Sequence, residues 1–116
     1  MSNFPEYRRR IKTINDDIKN IESYRSTLMR FKPEILIHLA SQPLVSESYL
    51  QTKNSYETNV MGTVKLFEVA KNLSSLKNIV IFTSDKVYKN LEKNNLNENS
   101  PLGGEDPYSA SKSAQD

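Results

Sequence analysis

Tyr108 and Lys112 stand four residues apart in Tyr108-Ser-Ala-Ser-Lys112. On a helix that spacing puts both side chains on one face. An ammonium beside a phenol lowers the phenol pKa and can hold a ribose hydroxyl, so the pair suits proton transfer at a sugar. The pattern alone is weak, because Tyr49 and Lys53 repeat it. Context separates them: Tyr108 follows an apolar run with a polar end and a long loop, whereas Tyr49 lies between an apolar run and a helix. A second cluster is Thr83-Ser-Asp-Lys86. A hydroxyl, a carboxylate and an ammonium side by side could bind and protonate a substrate hydroxyl. The plainer reading, which the local chemistry favours, is a strand end with a capping Ser and a surface ion pair. In His38-Leu-Ala-Ser-Gln42, His38 reads as a packed residue. Ala40 and Ser41 are small enough to let a flat ligand approach the backbone. In Asn15-Asp-Asp-Ile18 an Asp could face an adenine amino group, or the segment is a solvated turn with Asx hydrogen bonds.

Composition narrows the possibilities. At 116 residues the chain holds one small domain. Sixteen Lys and Arg against fourteen Asp and Glu leave +2, too little for nucleic-acid binding by charge. Apolar residues make up 36%, which predicts a thin core. Without cysteine there is no disulfide, thiolate metal site or cysteine nucleophile. With His38 as the one histidine, a His-cluster metal site is excluded and an internal Ser-His-Asp triad is disfavoured. No metal is expected. No apolar run approaches 18 residues, and Arg8, Arg9 and Arg10 sit where a signal peptide would be apolar. The expectation is a soluble cytoplasmic protein with no membrane or nucleic-acid partner.

The candidate residues need elements to position them. Arg10-Ile-Lys-Thr-Ile14 alternates apolar with polar and predicts a short strand. Asn20 is placed to cap a helix with Ile21, Tyr24, Leu28 and Phe31 on one face, stopped at Pro33. Glu34 to Ala40 is a nearly continuous apolar run, the pattern of a strand buried on both faces. Residues 41–54 read as loop with at most one helical turn. Residues 56–73 read as a helix with two apolar stripes: Val60, Val64, Phe67 with Ala70 or Lys71, and Leu66, Val69, Leu73. Gly62 inside it costs about 1 kcal/mol against Ala, which a close helix–sheet approach could offset. Asn78 to Ser84 is a second buried strand, residues 88–106 a long loop. Pro107 opens a last helix. Strand and helix alternate, so the fold class is α/β: a partial Rossmann-type, doubly wound parallel sheet of about three strands. A nucleotide-binding sheet of this kind opens with a Gly-rich turn, and Gly62, Gly103 and Gly104 are the only glycines. The first βαβ unit with its Gly-rich turn is missing from the pattern, and the chain stops inside a helix. Residues 1–116 therefore read as an internal segment of a larger domain.

These pieces stand in an order that resembles the extended short-chain dehydrogenase/reductase superfamily, and within it the NAD-dependent nucleotide-sugar 4,6-dehydratases. The resemblance runs from about Ile14 to the end, and it implies that residues 1–116 are a fragment of a single NAD-binding Rossmann-like domain whose C-terminal substrate domain is also missing. It rests on Phe31-Lys-Pro-Glu34, His38-Leu-Ala-Ser-Gln-Pro-Leu-Val45, Tyr56-Glu-Thr-Asn-Val-Met-Gly-Thr63, Thr83-Ser-Asp-Lys-Val-Tyr88, Pro101-Leu-Gly-Gly104 and Asp106-Pro-Tyr-Ser-Ala-Ser-Lys112. Most of these dehydratases have Asp-Glu where this chain has Asp85-Lys86, which points to the CDP-glucose subgroup. The resemblance implies that Tyr108 takes the proton from the sugar 4-hydroxyl as hydride leaves for NAD. It further implies that Lys112 holds the nicotinamide ribose, Ser84 binds the 4-hydroxyl, Asp85 protonates the departing 6-hydroxyl and Lys86 handles the C5 proton. A Lys can act as base only when its pKa is lowered, so Asp85 and Lys86 must titrate as a coupled pair. Asp17 and Ile18 match an adenine-side contact, Leu39, Ala40, Ser41 and Gln42 the middle of the cofactor, and Thr58 and Tyr108 further cofactor contacts. Ser41 replaces the usual second Ala. The whole enzyme is expected to pair as a homodimer through the 56–73 and 107–116 helices, and the isolated chain to be inactive. The alternatives are another nucleotide-sugar epimerase or dehydratase, and a truncated remnant that only associates through its helices.

Overall fold

The computed structural model describes residues 11–89 and 95–116. Asp17 opens a 3₁₀ turn, Ile18–Asn20, its carboxylate accepting the Lys19 amide at 2.8 Å. Helix α1 (Ile21–Phe31) follows, with Asn20 in the cap position but making no side-chain cap bond. Lys32 ends it in the left-handed region at φ 52°, and Pro33 prevents continuation. Ile21 is buried, and Tyr24, Leu28 and Met29 pack beside it, whereas Phe31 is exposed. Strand β1 (Ile35–His38) then runs parallel to β2 (Asn78–Ile81), in the register Ile35↔Asn78 through His38↔Ile81. A parallel pair needs a long crossover. Here it is helical: α2 (Val45–Leu50), α3 (Thr52–Tyr56), a π-helical stretch (Glu57–Met61) and α4 (Gly62–Ala70). No helix among the described residues is long and apolar enough to cross a membrane.

Four expectations are corrected. The sheet has two strands among the described residues, not about three. Arg10 of the first predicted strand lies outside the described residues, and Ile11–Ile14 form no ladder. Alternation alone makes no strand: a ladder needs a partner edge, and β1 pairs with β2 only. The strands are also not buried on both faces. Leu36 and His38 face the helices, while Ile35 and Ile37 are exposed, as are Ile79 and Val80. Residues 41–54 hold two short helices, α2 and part of α3, rather than loop. Local polarity misleads there because Ser48 and Ser55 are fully buried against a later helix, a tertiary contact that overrides propensity. Finally, the neighbour crowding Gly62 is the 3₁₀ turn and not the sheet. A Cβ at Gly62 would lie 2.9 Å from Ile18 Cγ2.

The core is thin, as composition predicts: Ile21, Leu36, Leu66, Val69 and Ala70, with Ile18, Tyr24, Leu28, Met29 and Leu76 packed on it. Of the two stripes on the long helix, Leu66, Val69 and Leu73 face inward, while Val64 and Phe67 stay largely open.

Beyond β2, Ser84 caps a short 3₁₀ turn, Asp85–Val87, that buries Val87. The long loop is pinched at its base. Tyr88 bridges Leu102, the Lys89 amide donates to Pro101 O at 2.8 Å, and the Gly103 amide to Val87 O at 2.9 Å. Helix α5 (Pro107–Gln115) starts at once, with Asp106 as N-cap and Pro107 in the first turn. At Gly104 a Cβ would lie 2.1 Å from the Ser109 carbonyl carbon. Only glycine lets this loop lie against the first turn of α5.

Candidate active site at the strand ends

Tyr108 and Lys112 share one face of α5 and both are buried, Lys112 to 1% exposure. A lysine this buried must spend its donors well. Its Nζ donates to Phe82 O at 2.9 Å, just past the end of β2, and to Gln115 Oε1. Burial pushes the Lys112 pKa down, and the Asp116 carboxylate opposes this. Asp116 itself accepts from the Thr83 hydroxyl at 2.8 Å, tying the end of α5 to the strand end.

The strand-end cluster lies beside this helix. Ser84 Oγ accepts from the Lys86 amide at 3.2 Å and donates to Asp85 Oδ1 at 3.1 Å. The capping role foreseen in the plainer reading is therefore real, and it leaves Asp85 exposed and Lys86 half-buried. Asp106 connects the clusters. Burial pushes its carboxyl up, but the Ser109 hydroxyl and amide, the Tyr108 amide and the charge of Lys86 outweigh this and hold it below its ordinary value. Two Ser109 bonds and the Lys86 field thus fix the turn that carries Tyr108.

Three polar contacts dock α5 on the crossover helices. Ser48 Oγ accepts from the Tyr108 amide at 3.1 Å. Asn59 Nδ2 donates to Ser111 Oγ at 2.8 Å. Gln115 Nε2 donates to Thr63 Oγ1 at 2.9 Å. Asn59 also holds the loop after β1: its Oδ1 accepts from the Gln42 amide at 2.7 Å and Ser41 Oγ at 3.1 Å, and its Nδ2 donates to Gln42 O at 3.2 Å. Ser41 and Gln42 are thereby brought into register with α5, while Leu39 and Ala40 stay exposed beside them. Thr58, half-buried, precedes Asn59 in the π-helical stretch. His38 is the packed residue expected, 3% exposed, its Nε2 2.9 Å from Thr63 Oγ1. Burial and then the Lys112 charge push its pKa down.

Ser84, Asp85, Lys86, Tyr108 and Lys112 thus gather at the carboxyl ends of the strands, where open α/β sheets bind ligands. Asp17 and Ile18 sit elsewhere, Asp17 capping its turn and pairing with Lys19 at 3.6 Å, Ile18 packed on Gly62. The repeat of the pattern is a surface feature: Tyr49 is exposed and Lys53 pairs with Glu57 at 3.6 Å. Sequence reasoning assigned no part to Ser48, Asn59, Thr63 or Gln115. A signal existed for two of them. Ser55, Asn59 and Thr63 recur every four residues, a polar stripe on a helix whose other stripes are apolar.

Parallel strands joined by a helical crossover, with a Ser-Asp-Lys strand end and a Tyr–Lys helix packed on it, form a Rossmann-like arrangement of the extended short-chain dehydrogenase/reductase kind. The chain belongs to the GDP-mannose 4,6-dehydratase family, whose sequence profile matches residues 2–116. It is 50% identical over 97 residues to the CDP-glucose 4,6-dehydratase of Salmonella typhimurium, covering 83% of this chain and 27% of that one. It is 32% identical over 108 residues to the dTDP-glucose 4,6-dehydratase of Haemophilus influenzae, covering 84% and 32%. Among solved structures, the dTDP-glucose 4,6-dehydratase of Streptomyces venezuelae, as a double mutant with NAD bound, superposes with a TM-score of 0.82 at 26% identity, over 91% of this chain and 32% of that one. The UDP-Glc/GlcNAc 4-epimerase of Campylobacter jejuni shares the fold at a TM-score of 0.83 and 22% identity, over 93% and 32%. The chain spans about a quarter to a third of the length of these curated relatives.

Proposed function

We propose that this chain carries the catalytic segment of a 4,6-dehydratase that converts CDP-glucose to CDP-4-keto-6-deoxyglucose with bound NAD. The observation that carries the reading is the burial of Tyr108 and Lys112 against a strand end bearing Ser84, Asp85 and Lys86. The Asp85-Lys86 pair and the identity to the Salmonella enzyme support CDP-glucose over other nucleotide sugars. An epimerase or another sugar-nucleotide dehydratase is the second reading, supported by the shared fold.

The donor set suits a nicotinamide cofactor. Lys112 has three N–H donors, and two are engaged by Phe82 O and Gln115. One remains for a ribose hydroxyl, next to the Tyr108 phenol. The exposed backbone of Leu39 and Ala40 and the pinned Ser41 and Gln42 offer a flat surface at the neighbouring strand end, with Thr58 behind them. Asp17 and Ile18 would take the adenine side. When bound, NAD supplies a hydride acceptor that later returns the hydride to the sugar. The chain's own groups move the protons. Tyr108 accepts the 4-hydroxyl proton, steered by Ser84. Lys86 takes the C5 proton while Asp85 protonates the 6-hydroxyl, which departs as water. The largely open Val64 and Phe67 on α4 support a homodimer through the 56–73 and 107–116 helices.

The test uses a chimera in which this chain replaces the matching segment of the Salmonella enzyme. Tyr108→Phe should lower C4 oxidation by roughly 10²–10⁴-fold. Asp85→Asn should leave oxidation intact and trap reduced cofactor, seen as near-ultraviolet absorbance with CDP-glucose. Tyr108→Phe should trap none, because it blocks the earlier step. Unchanged turnover in Asp85→Asn, or no spectral contrast between the two, would remove these roles and leave Thr83 to Lys86 as a plain strand end.

A further inference from the structure

Lys112 is held by more than its own helix. Its ammonium donates to the side-chain oxygen of Gln115, one turn on, and the Gln115 amide nitrogen donates to Thr63 Oγ1 at 2.9 Å. Thr63 Oγ1 donates in turn to Asn59 O at 2.7 Å. A hydroxyl has one proton and two acceptor sites. With its proton on Asn59 O, Thr63 can only accept from Gln115 and from His38, whose Nε2 lies 2.9 Å away. His38 must therefore carry its proton on Nε2. Every bond in the chain has a direction: Lys112 to Gln115, Gln115 to Thr63, His38 to Thr63, Thr63 to the backbone. Gln115 is 9% exposed and joins α5 to α4, and no apolar or carboxylate side chain of the same size could both accept from Lys112 and donate to Thr63. A carboxylate lacks the donor and a leucine lacks both groups.

We infer that Gln115 is a positioning residue, whose bridging amide fixes the Lys112 ammonium against the Phe82 carbonyl and leaves its third N–H directed to an incoming hydroxyl. The link to a cofactor ribose rests on the proposed function; the positioning itself does not. The charged and titratable groups around the ammonium are His38 on β1, Asp116 at the end of α5 and Tyr108 one turn back on the same face, and all three are kept in the test.

The experiment follows the lysine Cε signals of the ¹³C-lysine-labelled 116-residue chain against pH, with Lys112 assigned through Lys112→Arg. Gln115→Glu keeps the acceptor, loses the donor to Thr63 and adds a charge, so the Lys112 midpoint should rise above wild type. Gln115→Leu removes the acceptor, so the midpoint should fall below it. The His38 ¹⁵N signals should show the Nε2–H tautomer in wild type and lose it as the dominant form in neither variant, which controls for folding. A Lys112 midpoint that is the same in wild type and Gln115→Leu overturns the inference, whatever the charge does in Gln115→Glu. If Gln115→Leu fails to fold, Gln115→Met takes its place, since it keeps the length, removes both amide groups and should lower the midpoint in the same way. Cofactor retention in the chimera separates the two readings. Loss of NAD in Lys112→Ala with no Lys112 shift in the Gln115 variants rejects the positioning role and keeps the cofactor reading. A Lys112 shift with unchanged NAD retention in Lys112→Ala keeps the positioning role and rejects the cofactor reading.

Discussion

Where α5 docks on the crossover helices, Ser48, Ser55, Asn59, Thr63 and Ser111 are all 3% exposed or less, and none of them is apolar. On the outer face of the sheet, Ile35, Ile37 and Leu39 are 59–64% exposed, and all of them are apolar. The first region inverts the usual rule of burial, and it can do so because every buried side-chain nitrogen or oxygen among the described residues has a partner. Hydrogen bonds are directional, so this surface sets the rotation and register of α5, and with them the places of Tyr108 and Lys112. The second region is an apolar face with nothing upon it among the described residues. It adds no burial energy where it stands open. The site is thus held by geometry-specific polar contacts, and the strands beneath it by a small one-sided core.

That contrast can be broken most severely at Gly104. Gly104→Ala places a Cβ 2.1 Å from backbone of α5, so the loop or the helix must shift. The expected loss is about 3 kcal/mol or more, enough to unfold a marginal chain. Urea unfolding followed by circular dichroism reads it, and a loss below about 1 kcal/mol would contradict the packing described.

Asn59→Ala comes next. It strips partners from the Gln42 amide and carbonyl and from Ser41 and Ser111 at once. Leaving the buried Ser111 and the half-buried Ser41 and Gln42 groups unpaired should cost about 2–3 kcal/mol by the same measurement. A cost near zero would mean that water replaces the amide and that the docking face is not specified by it.

Acid should weaken the polar side of the comparison. His38 is depressed by burial and by the Lys112 charge, so the unfolded chain takes up the proton more readily than the folded one. Its contribution is complete above about pH 6.5, the unfolded value, and is lost as pH falls from there toward the folded value. Asp106 has a lowered pKa, so its contribution is present above the ordinary carboxylate range and is lost as pH falls through the folded value. Between pH 7 and 5 the urea midpoint of wild type should therefore drop more steeply than that of His38→Gln. Parallel slopes would remove His38 from the linkage.

The smallest effect belongs to the open face. Ile37→Thr should change stability of the isolated chain by less than about 0.5 kcal/mol, since Ile37 is 60% exposed. A loss above about 1.5 kcal/mol would show that the face is covered in solution, and sedimentation would then reveal the partner copy.

Much of this was legible in the residues. The helix face of Ile21, Tyr24 and Leu28, both apolar runs that became β1 and β2, the Pro107 start of α5 and the i,i+4 placement of Tyr108 and Lys112 all follow from local periodicity and capping. Those signals are short-range, and chain stereochemistry enforces them wherever the segment lies. Pairing and burial are not short-range. Residues 11–14 alternate like part of a strand but meet no edge among the described residues, and residues 45–54 are polar like a loop but become helical because α5 covers this stretch at Ser48. Sequence alone singled out the candidate groups, Ser84, Asp85, Lys86, Tyr108 and Lys112, by residue type, spacing and resemblance. Only the tertiary structure decided what holds them, since Gln115, Thr63 and His38 are separated by up to 77 positions in the chain and meet through hydrogen bonds that no local pattern encodes.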